Sequence, residues 1–371
     1  MKRLIWLDGV RGLAALGILL WHWQHFGRVD SIHDFDITEQ PLFGLLFPFY
    51  RYAWLGVDLF FLISGYIFFL LYSEKITKGK ISLTEFIWKR FARIYPLLFL
   101  TTILVFCLQN IYLAKFGSSF VFSRNSLEYL PIHLIVSNVW FENSMNGLNQ
   151  PSWSISVEAA LYLVFYLILR KFRVGLFTCS LIVVFGYLVI YRMSGYLGRG
   201  VGAFFLGGGI SILVKNYKNT KILMMTELLS YSVFIVFVGG LAFMSISNCS
   251  GLFSADDYLK STPRFVVYFV SIAIVFPAIV VTAVSIPNSG TRVDRIVSWL
   301  GDVSYGVYLW HFPVQVGLVL WLSELEVYSS LIRSSLGLLL FVFLCLLIAT
   351  AGYKYAETPA KNWLASIKIW K

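Results

Sequence analysis

The sequence predicts an all-α fold, a polytopic bundle of membrane-spanning helices. Of the 371 residues, 58% are hydrophobic and only 13% are charged, and the mean hydropathy is +0.75. A soluble domain carries about 25% charged residues. The apolar residues also fall into ten stretches near the length of about 20 residues that a spanning helix needs. No polar stretch is long enough for a separate soluble domain, so we expect one integral-membrane domain over residues 1–371.

The predicted spans are 9–27, 53–72, 95–113, 153–170, 174–192, 198–214, 223–247, 264–285, 301–322 and 331–353. Of the 30 Lys and Arg residues, twenty fall on one side of this arrangement and nine on the other, while Arg11 lies inside the first span. Because positive charge accumulates in cytoplasmic loops, both termini are predicted to be cytoplasmic. Most of the net charge of +11 is thereby explained, and we expect no nucleic-acid partner.

The start of the chain has the composition of a secretory signal, but Arg11 interrupts its apolar run and more membrane sequence follows. We therefore expect an uncleaved first span. Three of the four cysteines, Cys107, Cys179 and Cys345, fall in predicted spans, so no disulfide framework is indicated.

The first span, Leu7 to Phe26, carries two residues that do not suit lipid, Arg11 and His22. A charge inside a span costs at least ~2.5 kcal/mol, so it needs a partner or a watery cavity. At about 100° per residue, eleven positions make close to three turns, which places both side chains on one helix face. The alternative is an Arg that reaches the interface and a His satisfied by a neighbouring helix.

His25 shares a face with His22 and suggests a metal site, but no third ligand has convincing spacing, so no metal is expected.

The second span carries Asp58 at its outer end. Asp58 is either a functional residue or a hydrated residue at the membrane interface. Ser64 and Gly65, in the middle of that span, predict close helix packing.

The main inner loop contains a predicted helix with a basic pair. Ser82 and Glu85 form a capping box, so a helix should begin there. Arg90 and Arg93 are three residues apart and therefore neighbours on that helix. Planar guanidinium forks bind phosphate oxygens, so the pair is a candidate for binding a ligand that carries phosphates. The alternative is a basic helix anchored to anionic lipid.

The longest outer stretch, residues 114–152, ends in polar amides and an aromatic residue. Asn143, Asn146 and Asn149 precede Trp153, a combination that suits a sugar, although loops are polar in any case. Glu158 lies a turn and a half inside the next span and needs Arg11, a His or water as a partner.

The later spans contribute mainly structural features. Gly207, Gly208 and Gly209 lie inside a span and predict tight packing rather than a phosphate loop. His311, two residues before the helix-loosening Pro313, is either a second functional imidazole or a core histidine, and the core role is favoured.

Six stretches, in order, resemble acyltransferase family 3 membrane proteins. They are LDGVRGLAALGILLWH with ten residues between Arg11 and His22, GVDLFFLISGY (Gly56 to Tyr66), KRFARIYP (Lys89 to Pro96), PSWSISVE (Pro151 to Glu158), SYGVYLWHFPV (Ser304 to Val314) and YAETPAKNW (Tyr355 to Trp363). The family usually shows a second acidic residue after the glutamate, whereas Ala159 and Ala160 follow here. This departure leaves Glu158 as the only acid at that site.

The resemblance implies transfer of an acetyl group from acetyl-CoA to a polysaccharide or glycolipid in the bacterial cytoplasmic membrane. We assign catalytic roles to His22 as general base, Arg11 and Glu158. Arg90 and Arg93 would bind the donor, and Trp153, Asp58 and Asn149 the acceptor. Expected partners are acetyl-CoA, the glycan and membrane lipid, and a homo-oligomer is left open. An extra esterase-like domain, found in some family members, is not expected, so any handover would need another protein.

Two other classes remain open. In a transporter or flippase of acyl or glycan groups, Arg11 and His22 would line a path rather than perform chemistry. The absence of inverted repeats counts modestly against that class. A different membrane acyltransferase family with a catalytic histidine would lack the spacing between Arg11 and His22.

Overall fold

A computed structural model of the protein describes residues 3–29, 35–140, 147–217, 221–246 and 264–367. Within these ranges every regular element is helical. The α-helices are α1 (Ile5–Trp21), α2 (Phe43–Tyr52), α3 (Gly56–Thr77), α4 (Leu83–Phe116), α5 (Leu130–Leu134), α6 (Trp153–Lys171), α7 (Leu176–Phe185), α8 (Tyr191–Met193), α9 (Gly195–Asn216), α10 (Lys221–Ile246), α11 (Arg264–Val270), α12 (Phe276–Ser285), α13 (Arg292–Leu322), α14 (Val327–Arg333), α15 (Ser335–Gly352) and α16 (Thr358–Ser366).

Short 3₁₀ and π segments join or extend these helices. The 3₁₀ segments are His22–Gly27, Ile37–Glu39, Ala53–Leu55, Leu127–Tyr129 and Gln150–Ser152, and the π segments are Gly186–Ile190, Ser271–Val275 and Tyr353–Glu357.

Eight helical segments of the described chain are long and apolar enough to cross a membrane. They are Ile5–Gly27, Phe43–Thr77, Leu83–Phe116, Gln150–Lys171, Gly195–Asn216, Val267–Ser285, Arg292–Leu322 and Ser335–Ser366. Two shorter apolar helices, Leu176–Ile190 and Met224–Val236, coincide with the remaining predicted spans 174–192 and 223–247. The predicted all-α, multi-pass membrane fold is confirmed.

The chain folds into two compact units. The first unit comprises Met1–Trp21, Leu42–Lys80 and Leu167–Asp302, and the second comprises His22–Pro41, Ile81–Tyr166 and Val303–Lys371. Each unit is assembled from three separated segments, and the chain alternates between them. That the chain forms a single domain stays a prediction.

The first unit is held by close packing of α3 against α9. A Cβ atom on Gly65 would overlap the carbonyl oxygen of Phe204, and one on Gly207 would overlap that of Leu62. A Cβ on Gly208 would likewise meet the ring of Phe69. Glycine is therefore required where the two backbones touch, as the sequence predicted.

The second unit is built around α4. Its N-terminus has the predicted cap, with the backbone N–H of Glu85 donating to the Ser82 hydroxyl at 3.1 Å. The helix then continues for 34 residues without a break at Pro96. Buried Phe86 packs against the rings of Phe165 and Tyr166 from α6, at centroid distances of 6.1 and 5.6 Å. The basic pair of α4 is thus placed beside α6.

Candidate functional site

Three histidines of the second unit lie together. The ring centroid of His22 lies 4.7 Å from that of His311 and 5.0 Å from that of His25. His25 and His311 are buried, whereas His22 is half-buried. His22 is therefore the member of this trio whose ring a substrate can reach.

His22 begins a 3₁₀ segment rather than continuing an α-helix. The predicted span is continuous, but its α-helix ends at Trp21, so the interpretation of Leu7 to Phe26 as uniform α-helix is wrong for the last turns. Gln315 explains the change in part, since its side-chain amide donates to the His22 carbonyl at 3.0 Å. Because 3₁₀ winding has about three residues per turn, the α period no longer fixes where His22 points.

Two more side chains hold the same segment within the second unit. The indole N–H of Trp23 donates to the Ile332 carbonyl at 3.0 Å, and the Tyr328 hydroxyl donates to the Phe26 carbonyl at 2.9 Å. Each bond satisfies a carbonyl at a helix end, where backbone partners are missing. The histidine-bearing turn is therefore fixed at several points.

Pro313 creates the attachment point for Asn149. A proline inside a helix cannot donate to the carbonyl four residues earlier, which here belongs to Leu309. The side-chain amide of Asn149 lies 3.3 Å from that carbonyl and donates to it. This contact places a predicted acceptor-binding residue against α13, two residues before His311 in sequence.

The turn that leads into α6 is fastened to the same helix. The Tyr308 hydroxyl donates to the Pro151 carbonyl and lies 2.8 Å from the Ser154 hydroxyl. Trp153, half-buried, opens α6 between these two contacts. Asn143 and Asn146, which we predicted to act with Asn149, lie outside the described residues.

Glu158 and the basic pair of α4 act on the same tyrosine of α6. The Tyr162 hydroxyl, one turn further along α6, forms a hydrogen bond with the Glu158 carboxylate. The charges of Arg90 and Arg93 act on the same hydroxyl. Glu158, Arg90 and Arg93 therefore all act on one tyrosine hydroxyl. That Glu158 is paired with Arg11, a histidine or water stays a prediction.

A second acidic residue joins this group, which we call the arginine cluster: Arg90, Arg93, Glu158, Tyr162, Tyr305 and Glu357. Tyr305 of α13 lies within the electrostatic influence of Glu357, Glu158 and Arg93, and its hydroxyl donates to the Ile94 carbonyl at 2.7 Å. Glu357, in the π segment after α15, is buried. The cluster therefore combines two cations with two carboxylates.

Arg11 belongs to the first unit, and its charge partner is one turn away. Its guanidinium lies 3.9 Å from the Asp8 carboxylate, which also binds Arg3 at 2.7 Å. Arg3 continues to Asp302 at 2.7 Å. Burial lowers the pKa of Arg3, but hydrogen bonds with Asp302 and Asp8 outweigh it and raise the pKa above its usual value. Asp8 was not identified from the sequence, although i, i+3 spacing on a helix is a signal for such a pair.

Asp58 also lies in the first unit, in a buried ion pair. Its carboxylate accepts two bonds from Arg199, at 3.0 and 2.6 Å, and a third from the Tyr268 hydroxyl at 3.1 Å. The Arg199 guanidinium stacks 5.1 Å from the Trp54 ring centroid. Asp58 is fully buried, so the alternative of a hydrated interface residue is wrong. Its proposed contact with the acceptor stays a prediction.

The comparison with known families decides the classification. Residues 4–352 match the acyltransferase domain of acyltransferase family 3. This chain belongs to acyltransferase family 3. The match includes the histidine trio and all of the arginine cluster except Glu357.

Relatives of the chain include named bacterial O-acetyltransferases. The chain is 25% identical over 388 residues to O-acetyltransferase OatA of Staphylococcus aureus, covering 96% of this chain and 57% of the relative. It is 24% identical over 419 residues to peptidoglycan O-acetyltransferase OatA of Listeria monocytogenes, covering 98% and 58%. The chain thus spans less than two thirds of the length of these relatives. No solved structure matches it.

Within the described ranges, no group of three or more His, Cys, Asp or Glu side chains has positions suited to a metal ion. The second unit contains the half-buried imidazole of His22 next to the buried rings of His25 and His311. It also contains the separate arginine cluster. The roles of the predicted site residues remain proposals.

Proposed function

We propose that this protein transfers an acetyl group from cytoplasmic acetyl-CoA to a hydroxyl of a cell-surface polysaccharide or lipid-linked glycan, in the bacterial cytoplasmic membrane. Family membership supports acyl transfer. The names of the relatives, O-acetyltransferase and peptidoglycan O-acetyltransferase, support a glycan hydroxyl as the acceptor.

The observation that carries the proposal is the half-buried imidazole of His22 beside the buried ring of His311. A hydroxyl is a poor nucleophile until a base takes its proton, and neutral histidine suits that task near pH 7. His22 would remove the proton from the acceptor hydroxyl while the oxygen forms a bond to the thioester carbonyl carbon. When the carbon–sulfur bond breaks, the imidazolium would return the proton to the departing thiolate.

Binding of the donor is assigned to the arginine cluster. Guanidinium forks bind phosphate oxygens bidentately, and Arg90 and Arg93 are spaced to act on one ligand. Glu158 and Glu357 belong to the same cluster, so their negative charge would offset part of the positive charge of the two arginines.

The remaining assignments follow the chemistry of the side chains. Arg11 is proposed to stabilise negative charge on the carbonyl oxygen, the step at which acyl transfer gains most from a fixed cation. Trp153 is proposed to meet the sugar, since aromatic rings pack on sugar faces. Asn149, which is fully buried, is proposed to support the acceptor through its hydrogen bond with the Leu309 carbonyl. Asp58 is proposed to support the acceptor through its pair with Arg199.

Substitution of His22 tests the proposal. His22→Ala should reduce O-acetylation of the acceptor at least about a hundredfold, because general base catalysis contributes roughly 10²–10⁴-fold. Formation of the ester is followed by mass spectrometry after acetyl-CoA labelled in the acetyl group is added to purified protein and acceptor.

The matched control is His133→Gln, which removes another buried histidine of the second unit. It should retain activity when both variants accumulate in the membrane to equal levels. Normal ester formation by His22→Ala would remove His22 from the mechanism. Solute flux without any new ester in the wild type would instead favour a transporter.

A further inference from the structure

The side chain of His311 has an acceptor that nothing in the described structure satisfies. His311 is 0% exposed, and its Nε2 atom has no hydrogen-bond partner among the described residues. Its Nδ1 atom lies 3.3 Å from the Val307 carbonyl. A carbonyl oxygen can only accept, so Nδ1 carries the proton and Nε2 presents a bare lone pair.

A buried acceptor without a donor is unfavourable, so a partner is expected in the working enzyme. The imidazole of His22 lies close to that of His311, with a centroid distance of 4.7 Å. The Tyr308 ring is further away at 6.1 Å, and its hydroxyl is bonded to Pro151 and Ser154. The His22 ring is therefore the best-placed donor for Nε2 of His311.

The rings of His22 and His311 differ in solvent exposure, and this difference indicates different roles. His22 is half-buried and can contact a substrate, whereas His311 is completely enclosed. His311 is thus placed to act on His22 rather than on the acceptor. The backbone supports the same pairing, because Gln315, one turn beyond His311, donates to the His22 carbonyl at 3.0 Å.

His25 is less suited to this role. Its ring meets Phe122 and Phe312 edge to face, at 5.7 and 6.3 Å. His25 is therefore enclosed by aromatic rings.

We propose that His311 is a positioning residue for His22, an inference that rests on the function proposed above. When the acceptor is bound, one ring nitrogen of His22 faces the hydroxyl and its other N–H donates to Nε2 of His311. The hydroxyl proton passes to His22 and then to the coenzyme A sulfur. His311 neither gains nor loses a proton, but it fixes the tautomer of His22 and shares the positive charge of the imidazolium.

A pair of substitutions separates positioning from packing. His311→Gln keeps an acceptor oxygen close to the place of Nε2, whereas His311→Asn keeps only a donor close to the place of Nδ1. We expect His311→Asn to lower kcat at least about a hundredfold with unchanged KM for acetyl-CoA and acceptor, and His311→Gln to lose less than about tenfold. Both variants should accumulate in the membrane as the wild type does.

Two results would overturn the proposal. If His311→Gln loses as much activity as His311→Asn, the ring must carry a proton itself. If both variants keep the kcat of the wild type per folded molecule, His311 only fills space. Variants that lose thermal stability but keep the kcat of the wild type would lead to the same conclusion, that His311 only fills space.

Nuclear magnetic resonance of ¹⁵N-histidine gives a readout that does not depend on ester formation. The chain has five histidines, so His311 can be assigned from the signal that disappears in His311→Gln. We expect a protonated Nδ1 and an unprotonated Nε2. Ester formation together with a protonated Nε2 would overturn the positioning role alone, whereas a wild type that forms no ester would overturn the proposed function and the positioning role with it.

Discussion

At the scale of single residues, the ion pair between Asp58 and Arg199 shows how the first unit tolerates charge. Asp58 is fully buried, and the Arg199 side chain is 14% exposed. Two bonds from the guanidinium and one from the Tyr268 hydroxyl offset the loss of hydration. Removing one partner would leave the other charge buried without compensation.

We predict that Asp58→Asn lowers the free energy of unfolding by about 3 kcal/mol or more, since breaking a buried pair costs roughly 3–5 kcal/mol. Thermal unfolding of purified protein in detergent measures the effect. The matched control is Glu39→Gln, which breaks a pair with Arg333 whose side chains are 39% and 30% exposed. Exposed pairs contribute about 0–1 kcal/mol, so equal losses in the two variants would contradict a structural role for Asp58.

The residues that needed partners were predictable from the sequence, but most of the partners were not. A charged side chain in an apolar span is visible in the sequence as a residue that needs a partner. Arg11, Asp58 and Glu158 were predicted in this way. Arg199 lies 141 positions after Asp58, and no local pattern connects them. Tyr162 and Asp8 were within one helical turn of Glu158 and Arg11, so attention to i, i+3 and i, i+4 neighbours would have found both.

At the scale of helices, α4 joins the predicted basic helix and the third span into one rod. Its 34 residues extend about 50 Å, which exceeds the roughly 30 Å of hydrocarbon in a bilayer. The segment with Arg90 and Arg93 can therefore stand outside the apolar layer while the remainder crosses it. This arrangement suits a site for a water-soluble donor.

We predict that Arg90→Gln with Arg93→Gln weakens acetyl-CoA binding at least about tenfold, because two charge-assisted contacts are lost. Each single substitution should have a smaller effect. Isothermal calorimetry on purified protein measures the affinity.

Lys89→Gln is the control for this prediction, because it removes a positive charge from the same helix. Lys89 pairs with Glu85 at 2.6 Å, on an exposed part of α4. The affinity of the Lys89→Gln variant for acetyl-CoA should match that of the wild type. An unchanged affinity for acetyl-CoA in the double variant would mean that the basic helix does not bind the donor and only anchors the protein to lipid.

The glycine contacts between α3 and α9 allow a second prediction at this scale. Gly207→Ala should destabilise the protein by about 1–3 kcal/mol, because the added methyl group meets the Leu62 carbonyl of α3. Gly209→Ala is the control from the same triplet, since its Cβ would lie at an ordinary 3.6 Å from Cys179. The better helix propensity of alanine should make this variant neutral or slightly more stable. Equal destabilisation of the two variants would argue against close packing as the reason for the glycines.

Helix positions followed closely from the sequence, whereas their local winding did not. Apolar length located all of the long spans, because backbone polar groups in lipid require helices. The 3₁₀ turn at His22 and the contact between Asn149 and the Leu309 carbonyl depend on partners elsewhere in the second unit. Pro313 did indicate a loosened helix, but which group would use the freed carbonyl could only be learned from the structure.

At the scale of the whole molecule, the distribution of Lys and Arg predicts the orientation in the membrane. Residues 114–152 should lie outside and the turn near Lys78 inside. In a variant that lacks all four native cysteines, Ser118→Cys should react with a membrane-impermeant maleimide in spheroplasts. Lys78→Cys should react only after the membrane is permeabilised, and the opposite pattern would reverse the orientation.

This orientation makes a prediction about the route of the acetyl group. Coenzyme A is made in the cytoplasm, where the arginine cluster is predicted to open, while a surface glycan would enter from the outer side. In inside-out vesicles, acetyl-CoA added to the medium should therefore acetylate acceptor trapped in the lumen, and His22→Ala vesicles should serve as the inactive control. If acceptor is modified only when it is supplied on the same side as acetyl-CoA, both substrates enter from the cytoplasm. In that case the outer stretch would act only as a cover, even with His22 as the base.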